Sequence, residues 1–418
     1  MQDNIKKYIY DTLILFRGSS IAQIIPILAI PFIARLFGTE VFGKFAMIFA
    51  IATIIGSLAS MRLEYALVPA GKKERQQLYI LISVIAIPLV LLAIAGMTIV
   101  VTTQSISTFQ FTAHQTLYLA IIAILSANIN SANFYNTNLK NFKIISNAKI
   151  VLAVCTFILQ IFLGYFLSTS VEILLLSRII SQLFSLLLLL RGIEWSGMSN
   201  YFHLPSLLKI LPNYKQYYAY FWPASALEII ARQAPLLLIG GLYGDSYAGY
   251  FSMAERVLGV PTAAISSAVS QSFYQRFISE LKNKANPRKI IYFTWKLLGG
   301  AGIIPFILLF LFSVQLVSMV LGSEWLFSAG IIRVLVPMSF FAFISSATSS
   351  GMIALNGQKF TLAFNIYSLL VKVGSLYFGY LMGDLIIGLT AMVILQTLQY
   401  IVYNITMLSL LRYQEKLF

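Results

Sequence analysis

The sequence has few of the residues on which metal, redox and nucleotide chemistry depend. Its one cysteine, Cys155, excludes an intrachain disulfide, a thiolate zinc site and a CxxC redox pair. Its two histidines, His114 and His203, lie far apart, so no HExxH zinc motif is present. A GxxxxGK[ST] phosphate-binding loop is also absent, which excludes nucleotide hydrolysis by that route. We therefore expect neither a metal nor a cofactor.

Charged residues are also scarce. Only 10% of the 418 residues are charged, whereas soluble globular proteins have about 25%. Hydrophobic residues make up 59% and the mean hydropathy is +0.84, which predicts a membrane protein. The 29 Lys and Arg residues outnumber the 14 Asp and Glu residues. In a membrane protein this excess is typical of cytoplasmic loops, so we expect no nucleic-acid partner.

Apolar runs long enough to cross a bilayer predict twelve transmembrane helices, because one span needs roughly 20 apolar residues. The predicted spans are Leu13–Leu36, Val41–Met61, Leu78–Val101, Leu117–Leu139, Ile144–Leu167, Val171–Leu190, Tyr217–Leu242, Tyr247–Phe273, Ile291–Leu321, Ala329–Ile353, Thr361–Leu381 and Leu385–Leu411. No small-residue cleavage site follows the first run, so we interpret it as a retained span. The fold class predicted is an all-α polytopic membrane protein.

The basic residues between the spans fall mainly on one side of the predicted membrane. That side carries 21 of them, and the opposite side carries only Arg35 and Lys44. The positive-inside rule then places both termini in the cytoplasm. The outward loops are short, which leaves no room for an outer catalytic domain. This argues against a membrane enzyme such as a polysaccharide polymerase, a ligase or a polyprenyl-linked glycosyltransferase.

The chain divides into two six-span halves, a lobe at 1–200 and a lobe at 217–418, joined by a cytoplasmic linker at 201–216. The ten residues from Leu36 match the ten from Leu242 at a constant shift of 206, sharing the leucine, two glycines and a final phenylalanine. An even number of spans per half predicts parallel repeats, with a substrate path between them. Tight turns are the expected role of the glycines, which are Gly38, Gly43, Gly244 and Gly249.

Short motifs along the chain resemble those of a known family. They are Phe16–Gln23, Pro31–Gly38, Phe42 with Gly43, Arg62–Ala66, Leu258–Pro261, Ser270–Tyr274, Trp325, Ala329 with Gly330, and Arg333–Pro337. Together they resemble Wzx-type O-antigen and oligosaccharide flippases, from the superfamily of the MATE exporters and MurJ-like lipid II flippases. The resemblance implies two helical lobes around a central cavity. It also implies a glycan cargo on a polyprenyl diphosphate, moved from the cytoplasmic to the outer leaflet of the bacterial inner membrane.

Ionisable residues inside the spans are the candidate binding residues. A charge at the bilayer centre costs at least ~2.5 kcal/mol on insertion scales, so it usually faces an interior or a water-filled cavity. Guanidinium groups also match phosphate oxygens bidentately. We therefore predict a cationic substrate-binding cavity. Its predicted lining residues are Arg17, Arg178, Arg232, Arg256 and Lys372.

Each candidate has a structural alternative. Glu228 lies one helical turn before Arg232, so the two are either a neutralising pair or have separate roles, Glu228 then being the candidate proton-coupling carboxylate. Arg333 is predicted to be an anchor at the outer interface. The asparagines that end the fourth span are either glycan contacts or the polar end of a helix. Pro26 and Pro31 are predicted to form a gating bend in the first span.

The leading interpretation is a flippase that works by alternating access, and not an enzyme. The alternative is a MATE-like secondary exporter of small molecules, although small cations would need an acidic cavity. A membrane scaffold in a glycan-assembly complex is a third reading. The expected partners are the lipid-linked oligosaccharide, membrane lipids and a glycan polymerase or assembly complex, and the oligomeric state is left open.

Overall fold

The computed structural model describes the backbone of residues 2–103, 111–201, 207, 209–282, 286–355 and 357–417. The description excludes the side chains of residues 2–20, 102–103, 199–200, 260–268, 271, 275, 282, 353, 358 and 413–417. Everything below concerns the remaining residues.

This described part of the chain forms twelve α-helices, and it confirms the predicted all-α fold. Two of them, α1 and α2, are residues 2–37 and 39–59 of the segment Gln2–Ala59, which changes direction at Gly38. The others are α3 (Lys72–Thr103), α4 (Ala113–Asn138), α5 (Phe142–Phe166), α6 (Val171–Leu190), α7 (Trp222–Tyr243), α8 (Asp245–Lys282), α9 (Pro287–Val320), α10 (Leu326–Ala354), α11 (Gln358–Leu381) and α12 (Leu385–Leu417).

Ten of the described segments are long and apolar enough to cross a membrane. The continuous stretch Ile21–Ala59 counts as one of them and contains parts of both α1 and α2, and α8 is not in this group. Counting α1 and α2 separately turns these ten segments into eleven helices, and α8 is the twelfth. These twelve helices correspond to the twelve predicted spans. The chain is a multi-pass membrane protein.

Two glycines at the predicted offset of 206 turn the chain between helices. Gly38 has φ 69° and Gly244 has φ 103°, values that a glycine adopts without the steric cost of a Cβ. The turn prediction is confirmed at both positions. It is wrong for Gly43 and Gly249, which lie inside α2 and α8 and are buried.

The chain forms two compact units, Met1–Gln233 and Ala234–Phe418, and the division falls within α7. The predicted division into lobes at 1–200 and 217–418 remains a prediction. In the first unit α4 packs against the Gln2–Ala59 segment, α3 and α6. In the second unit α10 packs against α8, α9 and α12. The fourth helix of each half thus has equivalent neighbours, which supports the duplication that the sequence offset predicts.

Close contact between α11 and α12 depends on Gly379 and Gly388. A Cβ on Gly379 would lie 2.5 Å from the Gly388 Cα and 2.9 Å from the Asp384 carbonyl oxygen. Small residues at such crossings let two membrane helices pack backbone to backbone. Because the neighbouring atoms are backbone, they cannot move aside as a flexible side chain could.

We therefore expect Gly379→Val to destabilise the second unit by about 3 kcal/mol or more, the upper range for overpacking. Thermal unfolding of the purified protein measures the effect. Gly374→Val is the matched control, because a Cβ at that position in the same helix meets nothing within 4 Å. Equal stability of the two variants would contradict the close-contact argument.

Candidate functional site

An ion pair lies near the middle of α7. The Arg232 Nη2 is 2.7 Å from the Glu228 Oε1, one helical turn away, so the two side chains form the pair that their spacing predicts. Both side chains are well exposed, at 72% for Arg232 and 52% for Glu228. The carboxylate neutralises part of the arginine charge, but the accessible guanidinium retains donors for another acceptor.

The exposure of this pair indicates where it faces. α7 has 22 residues, and Arg232 is at its midpoint. Exposed residues of α7 at 224, 228 and 232 are four residues apart, so they share one face of the helix, although 223 and 230 are exposed as well. Charged groups in hydrocarbon cost several kcal/mol, and membrane proteins therefore direct them into an aqueous space. The pair therefore lies on an exposed face of α7, and its role in a cavity stays a prediction.

A second group of charges lies in the second unit, on α8 and α11. Glu255 of α8 is exposed, and Lys372 of α11 interacts with it electrostatically. The predicted span of Lys372 contains no acidic residue. The acidic residue with which Lys372 interacts, Glu255, lies on another helix. Arg256 is half-buried. It projects from another side of α8, since successive residues are turned by about 100°.

Arg178 of α6 lies against an aromatic ring of the first unit. Its guanidinium carbon is 4.7 Å from the centre of the Phe49 ring on α2, a cation–π contact, and the residue is half-buried. Such a contact contributes about 0.5–2 kcal/mol, depending on desolvation. It gives Arg178 a structural role in addition to the predicted binding role, which remains a prediction.

The remaining predicted residues are Arg17, Pro26, Pro31 and Arg333. Arg17 falls in α1, but its side chain lies outside the described residues. Pro26 and Pro31 are within the helical segment, where Gly38 is the residue that departs from helical backbone angles. The gating role of the two prolines stays a prediction. Arg333 is exposed, and its Nε donates to the Ser313 Oγ at 2.8 Å.

Two asparagines at the end of α4 have structural contacts. The Asn136 Nδ2 donates to the Leu189 carbonyl at 3.0 Å, which ties α4 to the end of α6. The Asn138 Nδ2 donates to the carbonyls of Val68 at 2.6 Å and Ala70 at 3.0 Å. These bonds satisfy loop and helix-end carbonyls that have no helical partner. These hydrogen bonds give both asparagines a structural role, and a glycan contact by the asparagines of this helix end stays a prediction.

A buried arginine, Arg75, contacts the same end of α4. Arg75, at the beginning of α3, donates from Nη2 to the Glu194 Oε2 at 2.9 Å and from Nη1 to the Asn138 Oδ1. Its guanidinium also lies 5.0 Å from the centre of the Tyr135 ring. Lys72 reaches the same Glu194 oxygen at 3.9 Å. In the sequence Arg75 is only one of several basic residues of a loop, because its partners are 63 and 119 residues away.

Buried amides in the second unit were also missed. The Gln396 Nε2 donates to the Gln399 Oε1 at 2.8 Å, and the Ser368 Oγ donates to the Gln396 Oε1 at 3.1 Å. The Gln399 Nε2 donates to the Phe364 carbonyl at 2.7 Å, so the network joins α11 to α12. The signal in the sequence was two glutamines three residues apart within an apolar span, which places them on one helix face.

Neither group of charges resembles a metal centre. Within the part of the chain that the structure describes, no three His, Cys, Asp or Glu residues come together. Each group contains cations within membrane-spanning helices, on α6 and α7 in the first unit and on α8 and α11 in the second. Such a set can bind an anion and can exchange ion-pair partners.

The arrangement of helices is shared with solved membrane transporters, and this likeness shows the fold. A MOP-superfamily transporter from Pyrococcus furiosus, described by a binding pocket of reverse polarity that suggests a different function, matches with a TM-score of 0.62 at 13% identity, over 97% of this chain and 95% of that one. An outward-facing multidrug MATE transporter matches at 0.60 and 15% identity, over 96% of each chain. The lipid II flippase MurJ matches at 0.59 and 14% identity, over 95% of this chain and 87% of that one.

These similarities establish the MATE/MurJ-like fold. No curated protein sequence matches the chain significantly. The family model described as polysaccharide biosynthesis protein matches residues 32–330, and the chain belongs to that family. The flippase-type family that the sequence motifs resemble is thereby confirmed at the level of the family and the fold.

Proposed function

We propose that this protein is a flippase for a polyprenyl-diphosphate-linked oligosaccharide, an O-antigen or capsule-type repeat unit. It would move the headgroup from the cytoplasmic to the outer leaflet of the bacterial inner membrane, with both of its own termini in the cytoplasm. The observation that carries the proposal is the exposed Glu228–Arg232 pair at the middle of a membrane-spanning helix. Membership of the polysaccharide biosynthesis family supports a glycan cargo.

An anionic headgroup fits the charges near the span centres. Arg178, Arg232, Arg256 and Lys372 supply four cations, and Glu228 and Glu255 supply two carboxylates. Arginine binds phosphate oxygens through paired N–H groups, and lysine acts as a point charge. A diphosphate would therefore displace Glu228 from Arg232 and take the same guanidinium donors. Glu228, once released from the arginine, is the proposed coupling carboxylate.

Alternating access provides the movement. The headgroup would bind the cations while the polyprenyl tail stays in the lipid. Rocking of one lobe against the other would then expose the headgroup to the outer side, as in transporters built from parallel repeats. A glycan polymerase or another protein of the assembly machinery is the proposed recipient of the flipped lipid.

The test is a transport assay with the purified chain in phospholipid vesicles that carry a fluorescent polyprenyl-diphosphate oligosaccharide. We expect the chain to increase the fraction of the glycan that an impermeant glycan-binding protein can reach. A second set of vesicles loaded with a lipophilic fluorescent cation tests the alternative, a MATE-like exporter of small molecules. Efflux of the cation without movement of the glycan would replace the flippase proposal with the exporter.

Pro26 and Pro31 are proposed to let the first helix bend during transport, since each removes one backbone hydrogen bond. Replacing both by alanine should slow glycan flipping severalfold in the vesicle assay while the protein level in the membrane stays unchanged. Pro88→Ala is the control variant, because Pro88 is also a proline inside a long helix, α3. A Pro26→Ala, Pro31→Ala variant that flips at the wild-type rate would remove the gating role.

A further inference from the structure

A crevice outside the proposed cavity residues lies between α8 and α9. Its volume is 640 Å³, within the range of about 300–1,000 Å³ typical of small-molecule sites. α8 contributes Val269, Phe273 and Arg276, and α9 contributes Lys289, Phe293 and Leu297. On each helix these residues recur at intervals of three or four, so two continuous helix faces form the walls.

The two walls have the same polarity gradient. The charged lining residues Arg276, Glu280 and Lys289 lie towards the segment that joins α8 to α9, and most of the apolar lining residues lie further into both helices. Val269 is seven residues from Arg276, and Leu297 is eight from Lys289. At about 1.5 Å per residue, the apolar part of the crevice is therefore roughly 10–12 Å long. One end of the crevice suits an anion, and the remainder suits a hydrocarbon chain.

The charges at the polar end are accessible. Arg276 and Lys289 are exposed, and neither forms an ion pair with a carboxylate among the residues that the structure describes. Glu280 also lines the crevice. Its Oε2 accepts the backbone N–H of Asn286 at 3.1 Å, which engages part of its charge in the connecting segment.

The sequence around the crevice strengthens the electrostatic argument. Six of the 21 basic residues on the predicted cytoplasmic side lie between Arg276 and Lys296. The inner leaflet carries anionic lipids, and basic pockets between membrane helices on that side bind their headgroups. Each basic residue near the surface favours such a lipid by about fivefold in affinity.

We propose that this crevice binds one anionic phospholipid of the cytoplasmic leaflet. The lipid phosphate lies between Arg276 and Lys289, and an acyl chain follows Phe293 and Leu297 into the bilayer. The site is separate from the proposed transport site, because none of the cavity residues lines it. A bound lipid would join α8 to α9 across their exposed faces.

The experiment is native mass spectrometry of the full purified chain in detergent, titrated with phosphatidylglycerol and, separately, with neutral phosphatidylcholine. We expect a specific adduct of one phosphatidylglycerol. The variant Arg276→Gln, Lys289→Gln should bind it about thirtyfold more weakly, the combined effect of two surface cations. The control is Lys296→Gln, Lys359→Gln, which removes the same charge from exposed residues that do not line the crevice.

Three outcomes would overturn the proposal. The first is unchanged phosphatidylglycerol binding by the crevice variant, and the second is an equal loss in the control variant, which would indicate general surface charge. The third is full competition by millimolar inorganic phosphate, which would indicate a site for free phosphate. Size-exclusion elution at the wild-type position establishes that each variant is folded. The assay measures no transport, so its result is independent of the flippase proposal.

Discussion

Arg232→Glu should reduce glycan flipping by roughly tenfold to a hundredfold while the protein remains in the membrane. The range corresponds to about 1.5–3 kcal/mol for a hydrogen bond to a charged group. The substitution removes the donors proposed to bind the diphosphate. It also places two carboxylates one helical turn apart on the exposed face of α7, where they repel each other and the cargo. The vesicle assay measures flipping, and quantitative blotting measures the membrane level.

A charge swap distinguishes binding from simple neutralisation. The double variant Glu228→Arg, Arg232→Glu keeps an opposite-charge pair with the same four-residue spacing. If the pair only neutralises itself, the swap should restore flipping as well as protein level. We expect it to restore the protein level but leave flipping impaired, because the guanidinium is displaced by one turn, about 5 Å. Full recovery of flipping in the swap would refute a binding role for Arg232.

Arg75→Ala should cause a large loss of stability. Arg75 is 6% exposed and joins α3 to Glu194, Asn138 and the ring of Tyr135. Removing one partner of a buried ion pair costs about 3–5 kcal/mol. We expect about 3 kcal/mol, the lower end of that range, because the Glu194 side chain is 38% exposed. Thermal unfolding in detergent measures the difference.

Lys72→Ala is the matched control for Arg75, since both residues contact the same carboxylate oxygen. The Lys72 side chain is 64% exposed and its Nζ lies 3.9 Å from Glu194. Exposed pairs of this kind contribute at most about 1 kcal/mol. If the Lys72 variant were as unstable as the Arg75 variant, the loss of stability would depend on the net charge of the region and not on the burial of the side chain.

Much of the fold could be predicted because the pattern of apolar runs is local. A helix that crosses a bilayer satisfies its own backbone hydrogen bonds, so each span depends mainly on its own residues. Gly38 and Gly244 were predictable for the same reason, since a turn depends on one residue's φ. Gly43 and Gly249 were not, because the difference between a turn glycine and a packing glycine lies in the neighbouring helices.

The candidate site was predictable only in part. Glu228 and Arg232 share a helix, so their spacing alone predicts the pair. Glu255 and Lys372 are on different helices, and no periodicity relates residues so far apart in sequence. Arg75 looked like one loop charge among many, although its partners make it a structural residue. Contacts between side chains that are far apart in the chain cannot be predicted from the spacing of residues in one sequence.

The sequence by itself determined a multi-pass helical protein, a duplicated half and an excess of mid-span cations, since hydropathy, offset and charge are properties of the chain. Only the tertiary structure decided which charges lie exposed, which meet a carboxylate and which pack on a ring. The reason is physical, because the cost of a charge in a membrane protein depends on the groups and the solvent around it. Those surroundings exist only after the helices have packed.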